Sequence, residues 1–336
     1  MKHQSTPLLK WNGYTQITVN VKARSGLLVI PQVPAQGSPW IWRTEFFNAR
    51  PAVDLALLSR GFHLAYVDVQ NMYGSPAALD IMDAFYEFLT KEYSLCPKTA
   101  LEGFSRGGLF AYNWAARNPQ KTAVIYADAP VCDFKSWPGG FGLSPGSKPD
   151  WDKCLKVYGL TQEQALKWQK NPVDNLVPLA DAGISLIHVC GLRDEIVPFN
   201  ENTGVLAERY RSLGGFITVI TKPFCGHHPH SLENPSRVVD FILHACGQNV
   251  HSCEDVDKNT PYGYCYHVLR GNLNTCRRKF MNEKKGRVCF LGGSITFNPG
   301  WRTQVCDFLT SRFPDTCFEF LITGFLRLIQ QHMLFV

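Results

Sequence analysis

Short apolar runs alternate with amphipathic stretches along the first 246 residues of the chain. Runs such as FHLAYVDV (62–69), TALEGF (99–104) and SLIHVCG (185–191) are rich in branched apolar residues and lack strict apolar–polar alternation. Strands that are buried on both faces have this character, and they occur in parallel sheets covered by helices on both sides. The pattern therefore predicts an α/β fold with a doubly wound, mostly parallel sheet.

The composition changes after residue 246, which predicts a domain boundary there. Residues 1–246 form the predicted α/β domain, with an insert rich in Trp, Gly and Pro at about 133–180, where a lid would be expected. Residues 247–285 are polar and irregular and are interpreted as a linker. Residues 286–336 contain a predicted strand, tight turn, helix and second strand, and are interpreted as a partial second α/β segment.

The composition also limits the classes of partner. Of the 336 residues, 45% are hydrophobic and 18% are charged, which is enough for a large core. The net charge is +6, and the basic stretch 277–287 supplies +5 of it, so we expect a solvated basic surface and no nucleic-acid partner. The 12 cysteines form no C-x-x-C pair, so reduced thiols are expected and neither a metal nor a cofactor is predicted.

No targeting or membrane segment is visible in the sequence. Residues 1–16 lack the apolar core of a signal peptide, and charged and polar residues interrupt the apolar tail at 318–336. The sequence as written therefore predicts a cytoplasmic protein without a membrane span. An incomplete N-terminus would make a periplasmic or secreted protein the alternative.

A Gly-x-Ser-x-Gly motif, Gly103 to Gly107, lies between an apolar strand that ends at Phe104 and a predicted helix that begins near Arg106. In this context the glycines permit a sharp turn, and the turn exposes a serine hydroxyl at the helix N-terminus. Ser105 is therefore the predicted nucleophile.

A serine nucleophile needs a base, and the base needs an acid that orients it. Asp194 follows a predicted strand and is the predicted acid, with Glu195 as the alternative. The run GHHPHSL follows the next predicted strand; within it His227 is the predicted base and His228 the alternative. A metal site formed by these two histidines and His230 is not predicted, because no carboxylate or cysteine partners are spaced nearby.

The tetrahedral intermediate of acyl transfer needs backbone N–H donors for its oxyanion. The first predicted donor is Arg106, the residue after the nucleophile. The second is expected from the loop after the short strand at 40–42, at Trp42 or Arg43.

Together, the motifs GFSRGG, GLRDEIVP and GHHPHSL resemble the α/β-hydrolase superfamily, on its prolyl-oligopeptidase and acetyl-esterase side. The resemblance covers roughly residues 15–246. It implies a serine hydrolase with the chain order nucleophile, acid, histidine.

The later stretch CFLGGSITFNPGWR, residues 289–302, resembles the first block of SGNH (GDSL-type) esterases, in which Ser294 would be the nucleophile. The closing Asp-x-x-His of that family is missing, because His332 has no Asp three residues before it. Ser294 is therefore expected to be inactive. The truncated segment leaves apolar faces without partners, so it is expected to promote self-association.

Bacterial proteins that join these two hydrolase types are associated with removal of acyl groups from carbohydrate. The resemblance therefore implies a carboxylic-ester hydrolase that acts through an acyl-enzyme on a small-molecule or glycan ester, acetyl esters above all. Trp137, Phe141, Trp151 and Tyr158 in the insert are candidates for stacking on a sugar, or for core residues. The alternatives are a serine peptidase of the prolyl-oligopeptidase type and a non-catalytic binding protein with a decayed site.

Overall fold

The computed structural model describes residues 9–248, 276, 279–292 and 300–324. The chain divides into two compact units, Met1–Val250 and His251–Val336. Most of the predicted linker at 247–285 lies outside the described residues.

The first unit is built on a nine-stranded sheet with the spatial order β1-β2-β3-β5-β4-β6-β7-β8-β9. Strands β1 to β3 pair antiparallel, and β3 also pairs antiparallel with β5, whereas every pair from β5 to β9 is parallel. The predicted fold class is therefore confirmed. The strands are β1 Leu9–Trp11, β2 Tyr14–Val21, β3 Arg24–Ile30, β4 Trp40–Arg43, β5 His63–Val67, β6 Thr99–Phe104, β7 Thr122–Asp128, β8 Ser185–Gly191 and β9 Ile217–Lys222.

Helices cover both faces of this sheet. Those described in the first unit are α1 Ala52–Leu58, α2 Pro76–Glu92, α3 Gly107–Arg117, α4 Lys148–Tyr158, α5 Gln162–Leu166, α6 Val177–Asp181, α7 Thr203–Ser212 and α8 Ser236–Ala245. Residues of α2, α3 and α7 share one core cluster with the sheet, and residues of α1 and α8 share another. In the described parts of both units, no helix has the length and apolar character needed to cross a bilayer.

The short strand β4 shows why both faces of the sheet must be covered. Trp40 and Trp42 pack in the cluster that contains α2 and α3, whereas Ile41 between them packs with α1 and α8. Each of these side chains is at most 1% exposed. Because successive side chains of a strand point to opposite faces, a strand that is apolar at every position needs a helical layer on each side.

The insert between β7 and β8 carries α4, α5 and α6, and its Phe134 and Trp151 belong to a third core cluster that also includes Tyr73, Leu109 and Val197 from outside the insert. Trp151 is 5% exposed and is therefore a core residue. Phe141 is 46% exposed and contacts Trp151 with its ring, at 5.4 Å between centroids. Phe141 is thus the most exposed of the four aromatic side chains that the sequence singled out, since Trp137 and Tyr158 are only partly exposed.

The described part of the second unit is a β-α-β arrangement that follows a π-helical turn, Lys279–Glu283. β10 (Lys285–Gly292) pairs in parallel with β11 (Cys317–Gly324), and the helix α9 (Trp301–Arg312) lies between them in the chain. The predicted strand, helix and strand are therefore present. Ser294 lies outside the described residues.

Candidate active site

Ser105 lies in a sharp turn between β6 and α3. Its φ of 48° is in the left-handed region, which is uncommon for a residue other than glycine. The Ser105 N–H donates to the Asp128 carbonyl at 2.9 Å, and the Ser105 carbonyl accepts from the N–H groups of Gly108 (3.0 Å) and Val131 (2.8 Å). These backbone bonds hold the serine in a strained conformation at the carboxyl end of the sheet.

Two glycines allow this turn to be so tight. A Cβ on Gly108 would come within 2.7 Å of both Pro130 Cβ and the Val131 carbonyl oxygen. A Cβ on Gly103 would meet the Gly107 backbone at 3.0 Å. Close packing around Ser105 therefore requires glycine at the first and last positions of the G-x-S-x-G-G motif.

Three side chains from distant parts of the sequence form a hydrogen-bonded series at this turn. The Ser105 Oγ and His227 Nε2 atoms are 3.0 Å apart, and His227 Nδ1 is 2.7 Å from Asp194 Oδ2. The side chain of His227 is 10% exposed and that of Asp194 is 2% exposed. Because Asp194 accepts the proton of Nδ1, the Nε2 lone pair of a neutral imidazole faces the serine hydroxyl.

The loop after β8 orients Asp194. Its second oxygen, Oδ1, accepts backbone N–H bonds from Ile196 (3.0 Å) and Val197 (2.8 Å). These bonds aim the other oxygen at the imidazole. The alternative acid, Glu195, is exposed and takes no part in the series.

The other two histidines of the loop differ from His227. His228 is exposed, and none of the described residues forms a hydrogen bond with its ring. Desolvation lowers the pKa of His228, and the neighbouring His230 and His227 lower it further. His230 is largely buried, and its Nδ1 lies 2.7 Å from Asp128 Oδ1.

Asp128 is a site residue that the sequence analysis missed. It ends β7 directly beside the nucleophile turn, and its Oδ2 also accepts the N–H of Ser231 at 2.8 Å. Asp128 therefore holds the histidine loop at two points. A carboxylate at the carboxyl end of a buried strand was the available signal, but its partner lies 102 positions later in the chain.

The predicted second oxyanion donor needs a correction. Trp42 and Arg43 lie inside β4, which pairs with β5 on one side and β6 on the other, so their N–H groups belong to the sheet. The next N–H, of Thr44, donates to the Glu102 carbonyl at 2.9 Å. Glu45 is the first residue after β4 whose N–H has no hydrogen-bond partner among the described residues.

The N–H of Arg106 likewise has no partner in the described part of the chain, as an oxyanion donor at a helix start requires. The Glu45 amide nitrogen lies against the same helix start, because a Cβ on Gly107 would come within 3.7 Å of it. Arg106 and Glu45 are therefore the candidate pair of donors.

The side chain of Arg106 lies in a polar wall next to the nucleophile. Its Nε is 3.3 Å from Glu45 Oε2, and an Nη lies 4.0 Å from Asp150. The guanidinium also lies over the rings of Phe46 (5.2 Å) and Tyr73 (5.9 Å). Burial raises the pKa of the Glu45 carboxyl, and Arg106 opposes that shift.

No family model matches the sequence, and neither does any curated protein. Solved structures do resemble it. Dipeptidyl peptidase 4 of Porphyromonas gingivalis is 14% identical with a TM-score of 0.53, over 70% of this chain and 36% of that protein. An acylaminoacyl peptidase in complex with a chloromethyl ketone is 14% identical with a TM-score of 0.50, over 64% of this chain and 38% of that protein. The chain thus spans well under half the length of these proteins, and it has the α/β-hydrolase fold.

Proposed function

We propose that this chain is a serine hydrolase that cleaves carboxylic esters through an acyl-enzyme. The observation that carries the proposal is the hydrogen-bonded series from Ser105 through His227 to Asp194 at a strand–turn–helix. A serine hydroxyl becomes a competent nucleophile when a base of this kind accepts its proton.

The proposed reaction has two halves. In the first, Ser105 Oγ attacks the carbonyl carbon while His227 Nε2 accepts the hydroxyl proton, and the backbone N–H groups of Arg106 and Glu45 stabilise the oxyanion. Collapse of the intermediate breaks the ester bond, and the departing alcohol takes the proton from His227. In the second half, water gives a proton to His227 and attacks the acyl-enzyme, and the carboxylic acid leaves as Ser105 regains its proton.

The proposed substrate class is acyl esters of carbohydrate, acetyl esters above all. Two charged side chains near the nucleophile support it: Arg106 and Asp150 are 15% and 24% exposed, and charged groups of this kind can hydrogen-bond sugar hydroxyls. The resemblance of the second unit to the start of an SGNH esterase also supports it, and we propose that Ser294 there is inactive.

A serine peptidase is the second candidate, because both structural relatives are named as peptidases. A panel that contains acetylated sugars, aryl esters, acylaminoacyl peptides and dipeptidyl anilides separates the two. We expect the acetylated sugars to give the highest kcat/KM; higher values for the peptide substrates would make the peptidase the better assignment.

A fluorophosphonate probe tests the serine mechanism itself. Wild-type protein should be labelled, Ser105→Ala should not, and the matched control Ser294→Ala should be labelled like wild type. Labelling that persists in Ser105→Ala would refute the assignment. No labelling of well-folded wild-type protein would favour the third alternative, a binding protein with a decayed site.

A further inference from the structure

Three imidazole rings meet beside the nucleophile. His227, His228 and His230 each offer a ring nitrogen, and these nitrogens all lie within 4.8 Å of one another. The ring centroids are 4.8 to 5.1 Å apart, and the rings meet edge to face. Imidazole nitrogens are preferred ligands of divalent transition metals, Zn²⁺ in particular.

Two buried carboxylates fix how these rings can act as ligands. Asp194 accepts the Nδ1 proton of His227, and Asp128 lies 2.7 Å from Nδ1 of His230. Both rings therefore keep Nε2 free of a proton and available as a ligand. Carboxylate–histidine pairs of this kind orient and strengthen the ligands of zinc sites.

These carboxylates supply the partners that the sequence analysis did not find near the histidines. The partners are not close in sequence, and the fold supplies Asp194 from the loop after β8 and Asp128 from the end of β7. Their two negative charges match the charge of one divalent cation. Two cations oppose a bound metal: the exposed Arg50 acts electrostatically on His228, and Lys222 Nζ donates to the carbonyls of Pro229 and Ser231 in the same loop.

We propose that His227, His228 and His230 form a binding site for a divalent transition metal such as Zn²⁺, and that the bound metal inhibits the hydrolase. The binding part rests on the geometry of the three histidines and their two carboxylate partners, and the inhibitory part rests on the proposed function.

The cost of forming the site is a small rearrangement. Tetrahedral Zn²⁺ with Zn–N bonds of about 2.0 Å places ligand nitrogens about 3.3 Å apart. The nitrogens here lie within 4.8 Å of one another, so each separation has to shrink by at most about 1.5 Å, and the exposed His228 ring is the freest of the three to move. Coordination uses the Nε2 lone pair of His227, which then cannot accept the proton of Ser105, and the reaction stops at its first step.

Calorimetric titration of Zn²⁺ into full-length Ser105→Ala tests binding without any dependence on hydrolysis, provided that the protein carries no histidine tag. We expect one ion per chain, and a tetrahedral visible spectrum when Co²⁺ replaces Zn²⁺. His228→Ala in the same background should weaken binding by at least ~10–100-fold, because losing a ligand costs no less than losing its supporting partner. His230→Gln, which keeps a donor for Asp128, should weaken it similarly.

The matched control is His244→Ala, since His244 is an exposed histidine on α8. It should bind Zn²⁺ like its parent. Absence of binding to Ser105→Ala, or equal binding by the His228→Ala and His244→Ala variants, would overturn the site.

Inhibition is then measured on protein with an intact Ser105, each variant relative to its own rate without metal. Zn²⁺ should inhibit the wild type reversibly, and a chelator should restore the rate. His228→Ala should need a higher Zn²⁺ concentration for half-maximal inhibition, by the same factor by which calorimetry shows weaker binding. Binding without inhibition would overturn the inhibitory part. If no hydrolysis is found with any substrate, the proposed function fails, while calorimetry still decides the metal site.

Discussion

Asp194 accepts three hydrogen bonds, one from the imidazole of His227 and two from the backbone N–H groups of Ile196 and Val197. An asparagine at this position keeps the shape of the side chain but can present its NH₂ group to His227. The ring would then hold its proton on Nε2, where it cannot accept the proton of Ser105. We expect Asp194→Asn to lower kcat by about 10⁴-fold, as the loss of the correct tautomer does in other triads.

The neighbouring Glu195 provides the matched control for that prediction. Glu195→Gln removes an exposed carboxylate one position away, and its kcat should stay close to that of the wild type. A large loss in Glu195→Gln together with an active Asp194→Asn would transfer the role of the acid to Glu195. Steady-state kinetics on an aryl acetate is sufficient to decide.

The three histidines of the loop have separate predicted effects on the rate. His227→Ala should lower kcat by roughly 10⁴- to 10⁶-fold, like Ser105→Ala, because triad members act as a unit. His228→Ala should have a much smaller effect, because its ring makes no bond to Ser105 or Asp194. His230→Ala should lie between them, since it removes the bond to Asp128 that holds the loop. A complete loss in His228→Ala alone would identify His228 as the base.

At the scale of elements, the turn between β6 and α3 depends on Gly108, which packs against Pro130 and Val131 just after β7. Gly108→Ala would place a methyl group 2.7 Å from the Val131 carbonyl, so backbone must move. We expect a loss of unfolding free energy of about 1–3 kcal/mol, measured by chemical denaturation, together with reduced activity. Gly226→Ala is the control for stability, because its Cβ would meet only the Arg193 carbonyl, at an ordinary 3.4 Å. Equal stability of the two variants would contradict this account of the turn.

Glu201, in the segment between β8 and α7, holds the insert through two hydrogen bonds. Glu201 accepts a hydrogen bond from Ser136 Oγ at 2.6 Å and another from the backbone N–H of Leu143. Bonds to a charged acceptor are worth about 1.5–3 kcal/mol each, so Glu201→Ala should loosen the segment from Ser136 to Leu143. Faster limited proteolysis within that segment is the expected result. Glu208→Ala, on the exposed side of α7, should leave the cleavage rate unchanged. Equal cleavage rates in the two variants would show that the Glu201 hydrogen bonds do not hold the insert.

The elements that the sequence predicted well are those whose signal is local. The strand FHLAYVDV is observed as His63–Val67, and the turn around Ser105 lies where its glycines indicated. The oxyanion donor shows the limit, because the first free N–H after β4 depends on pairing with other strands, and the Thr44 N–H already donates to the Glu102 carbonyl. The pair of Asp128 and His230 was missed for the same reason. Contacts between strand ends that are far apart in sequence depend on the order of strands in the sheet, which residue patterns do not encode.

At the scale of the whole molecule, the residues of the proposed triad all belong to the first compact unit. Ser105, Asp194 and His227 follow β6, β8 and β9, whose carboxyl ends meet at one edge of the sheet. Both large core clusters of this unit are formed by residues between Trp11 and Cys246. The proposed triad and both clusters that surround its strands thus lie within the first unit.

The second unit exposes large apolar side chains on its helix. Its described sheet has two strands, and α9 exposes Trp301 by 44% and Phe308 by 64%. A two-stranded sheet with one helix buries little apolar area against the entropy of ordering it, and unpaired strand edges favour association with other chains. We therefore propose that the second unit promotes self-association and that the hydrolase site does not depend on it.

A chain that ends at residue 250 tests this proposal. We expect the shortened protein to keep a cooperative thermal transition and the kcat of the full chain, because both core clusters and all three triad residues are retained. Light scattering should show less self-association than for the full chain, because the exposed rings of α9 and the open edges of β10 and β11 are gone. If the shortened chain is unfolded, or folded but inactive while the full chain is active, residues beyond 250 are an integral part of the hydrolase fold. The boundary inferred near residue 246 would then be wrong.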